Sequence, residues 1–345
     1  MLMVFAGSNI SPENALLPAY FTLVFPTILL ANLFFIIFWI AFKKWYFLFS
    51  FVLLVLSYPW YKDAFPMNFN KKAKEIPAES FTLLTYNTWV MGQYKKHTKD
   101  SPNQVIQFVL DSDADIVCLQ EFHVADKNFI THDEMTRIFK KYPYQHIYYK
   151  NKKTNRKSGI ATFSKYPIIK KENIEYDSRQ NASIYSDIII KNDTVRLINC
   201  HLESNNLTEK DKAMPAELRK NFDTENISST AVYLSKKLGT AYKKRASQAD
   251  TISDIIKKSP YKVLVCGDFN DVPLSYTYTT VKGDLSDAFT TFGLGFGSTF
   301  HENLYNFRID YIFYDQNFIP LQFKMNKVKY SDHYPLLCNI KTNND

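Results

Sequence analysis

From Ser80 to the C-terminus, apolar runs of strand length recur between stretches with helical patterning: "FTLLTYN", "DIVCLQE", "SGIATFS", "SIYSDIII", "VRLINCHL", "KVLVCGDFN", "RIDYIFY" and "YPLLCNI". Runs dominated by Val, Ile, Leu and Phe with little alternation read as strands covered on both faces. Interleaved with helices, they predict a single α/β domain with buried sheets over residues 80–345. "SPNQVIQFVLDS" predicts a helix with Ser101 as N-cap, Pro102 in the first turn and Gln104 completing a capping box. A longer helix is predicted from Ser228 to Lys258, and no internal repeat is found.

The first 60 residues have a different character. "YFTLVFPTILLANLFFIIFWIAF", positions 20–42, holds no charge over 23 residues, enough to cross a bilayer with some tilt. After Lys43 and Lys44, "WYFLFSFVLLVLSYPW" is 16 residues ending at Trp60, with flanking aromatics suited to a membrane interface. The expectation is a transmembrane helical hairpin over 1–60, a linker over 61–79 and a catalytic domain over 80–345. This predicts a multi-pass membrane protein in contact with the lipid bilayer. A cleaved signal peptide is disfavoured, because the apolar stretch is too long and no basic region precedes it. Orientation stays open: Lys43 and Lys44 favour a cytoplasmic turn, whereas Lys62, Lys71, Lys72 and Lys74 favour a cytoplasmic domain. The apolar opening "MLMVFAGSNISPEN" leaves room for a further span upstream.

The net charge of +8 is a mild excess. It suits an anionic partner such as phosphate, nucleic acid or lipid headgroups, but charge alone reads first as a solvated basic surface. The four cysteines each sit inside an apolar run without metal-type spacing, which reads as buried free thiols.

Polar residues collect at the strand ends, where function is usually sited on such folds. Asn87 closes "LLTYN", Glu121 closes "IVCLQE" and His201 follows "LINC". Asp268 and Asn270 close "VLVCGDFN", and their spacing of two places both on one face, with Phe269 on the other. Arg308 and Asp310 share that spacing in "RID". In "YSDHYPL", Asp332 and His333 point to opposite sides of an extended chain and must have different partners. Each residue alone has a bland reading as a turn residue, helix cap or satisfied core group.

Together, "YNTW", "LQE", "SGIATFSKYPI", "HLES", "GDFND", "RIDYIF" and "SDHYPL" resemble, in order, the motifs of the endonuclease/exonuclease/phosphatase superfamily of DNase I-like enzymes. The resemblance covers about Ser80 to Lys341. It implies a four-layer sandwich of two mixed β-sheets flanked by helices, with a divalent metal at the sheet edge. It also implies that Asp310 holds His333, fixing its tautomer and supporting its positive charge. Glu121 becomes the principal metal ligand, helped by Asp332 and braced by Asn87. Mg²⁺ fits best, with Mn²⁺ as the alternative, since such ions take oxygen ligands and often rely on one or two carboxylates. Asp268 would orient and deprotonate the attacking water, Asn270 and His201 would hydrogen-bond phosphoryl oxygens, and protonated His333 would stabilise developing charge. Some members carry an acid two residues after the strand-end Asn; Trp89 stands there, so one metal is expected. Arg156, in the basic loop "KNKKTNRKSG", either contacts substrate phosphate or is simply solvated. Arg245 and Gln248 on the long helix read as structural.

The function expected is therefore metal-dependent phosphodiester hydrolysis at a membrane, with a nuclease as first reading. The alternatives are a phosphodiesterase or phosphatase acting on phospholipid or inositol phosphate, and an inert tethered binding module that kept the fold. No protein partner is predicted. A serine hydrolase is disfavoured, because no GxSxG pattern is present.

Overall fold

The computed structural model describes residues 1–342 except 70–74, 78, 99, 126–128, 154, 209, 212–213, 215–223 and 303–304. Lys71, Lys72 and Lys74 of the expected linker lie outside the described residues. The C-terminal part is built on two six-stranded sheets. In the first, β13 (Phe318–Met325), β14 (Leu336–Thr342), β1 (Phe81–Asn87), β2 (Ile116–Ala125), β4 (Arg156–Ser164) and β3 (Tyr144–Lys153) lie side by side. In the second the order is β5 (Ile168–Ile174), β6 (Ala182–Ile190), β7 (Asp193–His201), β8 (Lys262–Asp268), β12 (Asp310–Tyr314) and β9 (Ser286–Asp287). A separate antiparallel pair joins β10 (Phe300–Glu302) to β11 (Tyr305–Phe307); among the described residues the β1–β2 and β7–β8 pairings alone are parallel, so both six-stranded sheets are mixed.

Successive side chains of the central strands go to different layers. Leu197, Cys266 and Ile312 of the second sheet meet Leu83 and Cys118 of the first in the core between the sheets. Their neighbours Ile198, Val265 and Phe313 face outward onto Ala249 and Ile252 of the long helix α7 (Thr224–Lys257) and Tyr278 of α8 (Tyr276–Lys282). The outer face of the first sheet packs on α5 (Gln104–Asp111) and α6 (His132–Ile138). This is the expected four-layer arrangement, and it explains why the strands lack polar alternation. All four cysteines are free and buried within it.

Two local expectations change. The cap of α5 is Asn103 rather than Ser101: its Oδ1 accepts from the Val105 and Ile106 amides, while its Nδ2 donates to the Met91 and Lys95 carbonyls. Strand β2 does not stop at Glu121. It runs to Ala125, with a register shift against β4 between Leu119 and Phe122.

The N-terminal helices are α1 (Leu2–Asn9), α2 (Leu17–Leu23), α3 (Phe25–Ala41) and α4 (Phe47–Tyr61). The span expected over 20–42 is broken at Val24, where α2 and α3 meet at 67°. Among the described residues no single helix is long and apolar enough to cross a membrane, although the bent pair passes by length and composition. Pro26 in the first turn of α3 favours a break there, and docking holds it. Tyr20 donates to the Ser235 carbonyl at 2.6 Å and packs edge-on against Tyr242, which holds α2 against α7. Ser8 donates to the Leu274 carbonyl, and Val4, Phe25, Leu54 and Tyr61 form one cluster with Leu274. The first part of the expected linker is also fastened: Asp63 pairs with Lys282 at 3.0 Å, and Asn68 donates to the Thr290 and Gly293 carbonyls.

Arg245 of α7 is wholly buried yet satisfied, donating to Asp271, to the Glu203 carbonyl and to Asn205. Gln248 accepts from the Glu203 amide. These two residues tie down the loops that leave β7 and β8. Arg245→Met is expected to cost roughly 3–5 kcal/mol, because it leaves the Asp271 carboxylate buried without its cation. Adding Asp271→Asn should recover part of that loss in chemical denaturation; a loss no larger than that of an exposed lysine substitution would contradict this reading.

Candidate active site

Two parallel strand pairs deliver their C-terminal ends to one edge of the sandwich. In the register, Asn87 lies opposite Gln120 and His201 opposite Asp268, while antiparallel β12 begins with Asp310 opposite Asp268. Close approach at this edge requires Gly267: a Cβ there would sit 2.0 Å from the Cys200 carbonyl oxygen, and its φ is +128°. The side chains then meet across the sheets. Asn87 Nδ2 donates to Asp268 at 2.9 Å and lies 3.4 Å from Glu121. His201 Nε2 stands 3.8 Å from Asp268 and 4.0 Å from Glu121. His333 Nε2 is 3.8 Å from Asp268, and its Nδ1 meets Asp310 at 2.8 Å.

Glu121 reaches this cluster from within β2 because of the register shift, with φ at +52°; a bulge re-aims a side chain in this way. Asn270 lies beyond the end of β8 at φ +53°, and the turn keeps it beside Asp268: its amide N–H donates to Oδ1 at 2.8 Å. Its side-chain nitrogen also reaches the Leu202 carbonyl. Phe269 points into the core, as its alternation predicted. After Asn87 the chain makes a left-handed turn, with φ between +46° and +69° from Trp89 to Gln93. Left-handed turns cost roughly 1–2 kcal/mol per non-glycine residue. Here the conformation is held by the Trp89 amide on Asn87 Oδ1, the Gly92 amide on the Thr88 carbonyl, buried Met91 and the Asn103 side chain.

The electrostatics divide the roles. Burial alone would lower the His333 pKa, but Asp310 and Asp268 raise it well above the usual value, so the ring is an imidazolium. His201 is driven down to about 3 by burial and then by His333, so it is neutral. The Asp268 carboxyl is raised by burial and by Asp310, with His333 opposing. Glu121 is raised by burial and then by Asp332. Among the described ion pairs Glu121 and Asp268 meet only histidines. Two buried acids, each raised by a further acid (Glu121 by Asp332, Asp268 by Asp310) and with no lysine or arginine among their described ion pairs, fit a divalent cation as the missing partner. A second donor set also exists: ligand atoms of Asp268, Asp310 and His333 lie within 4.8 Å of one another. An imidazolium, however, has no lone pair to offer a metal, whereas Glu121 and Asp332, near enough for Asp332 to raise the Glu121 carboxyl, offer oxygen alone, which suits a hard cation.

The His333 ring meets Asp310 and Asp268, whereas the Asp332 carboxylate lies 3.2 Å from the Ser331 hydroxyl. Ser331, which sequence reading did not single out, donates to the Asn87 carbonyl and accepts from the His333 amide. Arg308 does not join Asp310; its guanidinium pairs with Asp287, and Asp310 takes His333 instead. Arg156 lines a cleft with Glu121 and His201, together with Lys153 and His123. Neither of those last two carries a local motif that would mark it. Beneath the site, Gln120 donates to Asn199 at 2.7 Å, joining the two sheets.

A model of the Endonuclease/Exonuclease/phosphatase family matches residues 84–333. A second, described as a domain of unknown function, matches residues 1–63. No protein with a curated description matches the sequence. The human Nocturnin catalytic domain with bound sulfate anion aligns at TM-score 0.52 and 15% identity, covering 78% of this chain and 96% of that one. D. rerio TDP2 complexed with single strand DNA product aligns at 0.51 and 14%, covering 76% and 99%. Humanized D. rerio TDP2 aligns at 0.50 and 13%, covering 77% and 100%. At these identities the likeness is one of fold.

In metal-free protein, side-chain ¹⁵N spectra should show both nitrogens of His333 protonated at pH 7.5 and His201 neutral at pH 5. Asp310→Asn should return His333 towards the ordinary range, since it removes the largest influence raising it. A neutral His333 in the unmodified protein would contradict the assignment.

Proposed function

We propose, from the premise that the chain belongs to the endonuclease/exonuclease/phosphatase family and is thus a metal-dependent phosphoric ester hydrolase, that it cleaves phosphodiesters at a membrane surface. The observation that carries this is the convergence of Asp268, His201, Asp310–His333 and Glu121 on one sheet edge. Glu121 and Asp332, braced by Asn87, would hold a Mg²⁺ or Mn²⁺ ion whose contribution is to neutralise phosphoryl charge.

The remaining chemistry belongs to the chain. Asp268, made more basic by its burial, takes the proton of the attacking water. Neutral His201 and the Asn270 amide hydrogen-bond phosphoryl oxygens, and the His333 imidazolium faces the charge that develops. Asp310 holds that imidazole by Nδ1, leaving Nε2 toward the site. Arg156 supplies a cation for a second phosphate or headgroup along the cleft.

For the substrate, a nuclease reading is supported by that basic cleft and by TDP2, whose structure contains a single strand DNA product. A lipid-phosphoester reading is favoured by the N-terminal helices. Leu30, Ile37, Phe49 and Leu56 are each more than 60% exposed on α3 and α4, large apolar side chains of the kind that mark a membrane-facing surface. The 17 residues of α3 make about 25 Å of helix, close to the hydrocarbon thickness. Lys43 and Lys44 at the tip can reach the far headgroups.

Full-length protein should therefore pellet with membranes and resist carbonate extraction, and Ile37→Asp with Leu56→Asp should release it. Unmodified protein in the soluble fraction would refute the anchor. Hydrolysis of bis(4-nitrophenyl) phosphate should vanish in EDTA. Asp268→Asn should lower turnover roughly 10²–10⁴-fold with binding retained. Asp310→Ala added to His333→Ala should do little further harm, because the two act as one unit; additive losses would break the proposed pair.

A further inference from the structure

The elbow between α2 and α3 is pressed against the catalytic edge and leaves an apolar cavity of about 250 Å³. Leu23, Phe25 and Pro26 form its wall on the helical side, and Val272, Phe296 and Arg308 form the opposite wall. An apolar void of about 150 Å³ already accommodates a benzene ring, so this one admits several methylenes. Three of its chain segments run directly into the active site. Val272 lies two residues beyond Asn270, and Arg308 two residues before Asp310. Ser298, also in the lining, lies two residues before Phe300, whose ring packs 5.1 Å from that of His333. Two residues span at most about 7 Å, so the cavity mouth and the reacting centre are neighbours on one edge.

Arg308 closes the wall on the side of the sheet: it is 3% exposed, and its guanidinium is held by Asp287 and the Asp63 carbonyl. On the other side, the lining residues Leu23 and Phe25 flank Val24, which is 45% exposed at the bend, so the cavity lies beside the start of the helix whose outer face is proposed to meet lipid.

Resting on the phosphodiesterase reading above, we propose that this cavity is an acyl-chain site, and that the substrate is a membrane lipid phosphoester whose tail enters at the elbow while its phosphate lies at Asp268 and His333. Water adds to phosphorus as its proton passes to Asp268, the bond from phosphorus to the leaving oxygen breaks, and that oxygen leaves with the electron pair and is reprotonated from solvent.

Two phosphodiesters with one leaving group separate tail from chemistry: ethyl 4-nitrophenyl phosphate and hexadecyl 4-nitrophenyl phosphate, each assayed with full-length protein in phosphatidylcholine vesicles with Mg²⁺. The hexadecyl ester should show at least about tenfold higher kcat/KM, equivalent to about 1.4 kcal/mol or the burial of about two methylenes. Leu23→Trp, which fills the cavity, should abolish that advantage and leave the ethyl ester unchanged. Leu23→Met, and Leu30→Trp on the bare face of α3, should leave both rates intact. Equal rates for the two esters, or a Leu23→Trp loss shared by both, would overturn the tail site. So would rapid cleavage of a single-stranded oligonucleotide alongside equal ester rates, which would assign nucleic acid instead. If neither ester is hydrolysed, the phosphodiesterase reading fails separately. The site is then judged by photolabelling with a diazirine-tagged hexadecyl phosphate: label at 22–26, 272–274 and 296–298 supports it, and label confined to the outer faces of α3 and α4 overturns it.

Discussion

The Asn87 side chain is the contact on which the site depends. It leaves the end of a strand in one sheet and donates to Asp268 at the end of a strand in the other, with Glu121 also in reach. Two sheets packed through an apolar core could slide or splay at their edges, because dispersion and burial are not directional. Directional bonds at the edge remove that freedom. Gln120 to Asn199 repeats the link one layer down, where both groups are wholly buried and a lost partner would be costly. The position of Asn87 is itself fixed by Ser331 on its carbonyl and by the left-handed turn that begins at Trp89. Strain of this kind persists only where the surroundings over-determine it.

The same edge gathers more negative charge than its burial favours. Asp310 is matched by His333, and that pairing favours the imidazolium of His333 beside a neutral His201. The arrangement separates two tasks. Asp268 is left to act as a base, with its proton affinity raised by burial and by Asp310. Glu121 and Asp332 are left with an unbalanced charge suited to a divalent cation.

Much of this was legible in the residues, because strands buried on both faces must end in polar groups and those ends were conspicuous. What was hidden depends on neighbours distant in sequence. The bulge that turns Glu121 inward exists only through the pairing of β2 with β4. Strands β3 and β5 escaped notice because they are sheet edges rich in lysine and other polar residues, "YQHIYYKNKK" and "IIKKENI", the composition that keeps edges from pairing further. Asn103 replaced Ser101 as the α5 cap because its amide also ties down the turn at Met91. The break at Val24 was marked in the uncharged stretch only by Pro26 in the first turn of α3, and the direction of the bend is set by Tyr20 docking on the long helix. Arg308, close in sequence to Asp310, looked like a site residue but serves Asp287 and the junction with the N-terminal helices.

That junction places an apolar surface beside a hydrolytic centre, and the whole account requires Asp268 and His333 to be free for proton and charge chemistry rather than engaged as metal ligands. Anomalous diffraction from the full-length protein crystallised with Mn²⁺ tests this directly. The account predicts a single anomalous peak within coordination distance of Glu121 and Asp332. A peak seated instead among Asp268, Asp310 and His333 would remove both the base and the imidazolium, and would contradict it.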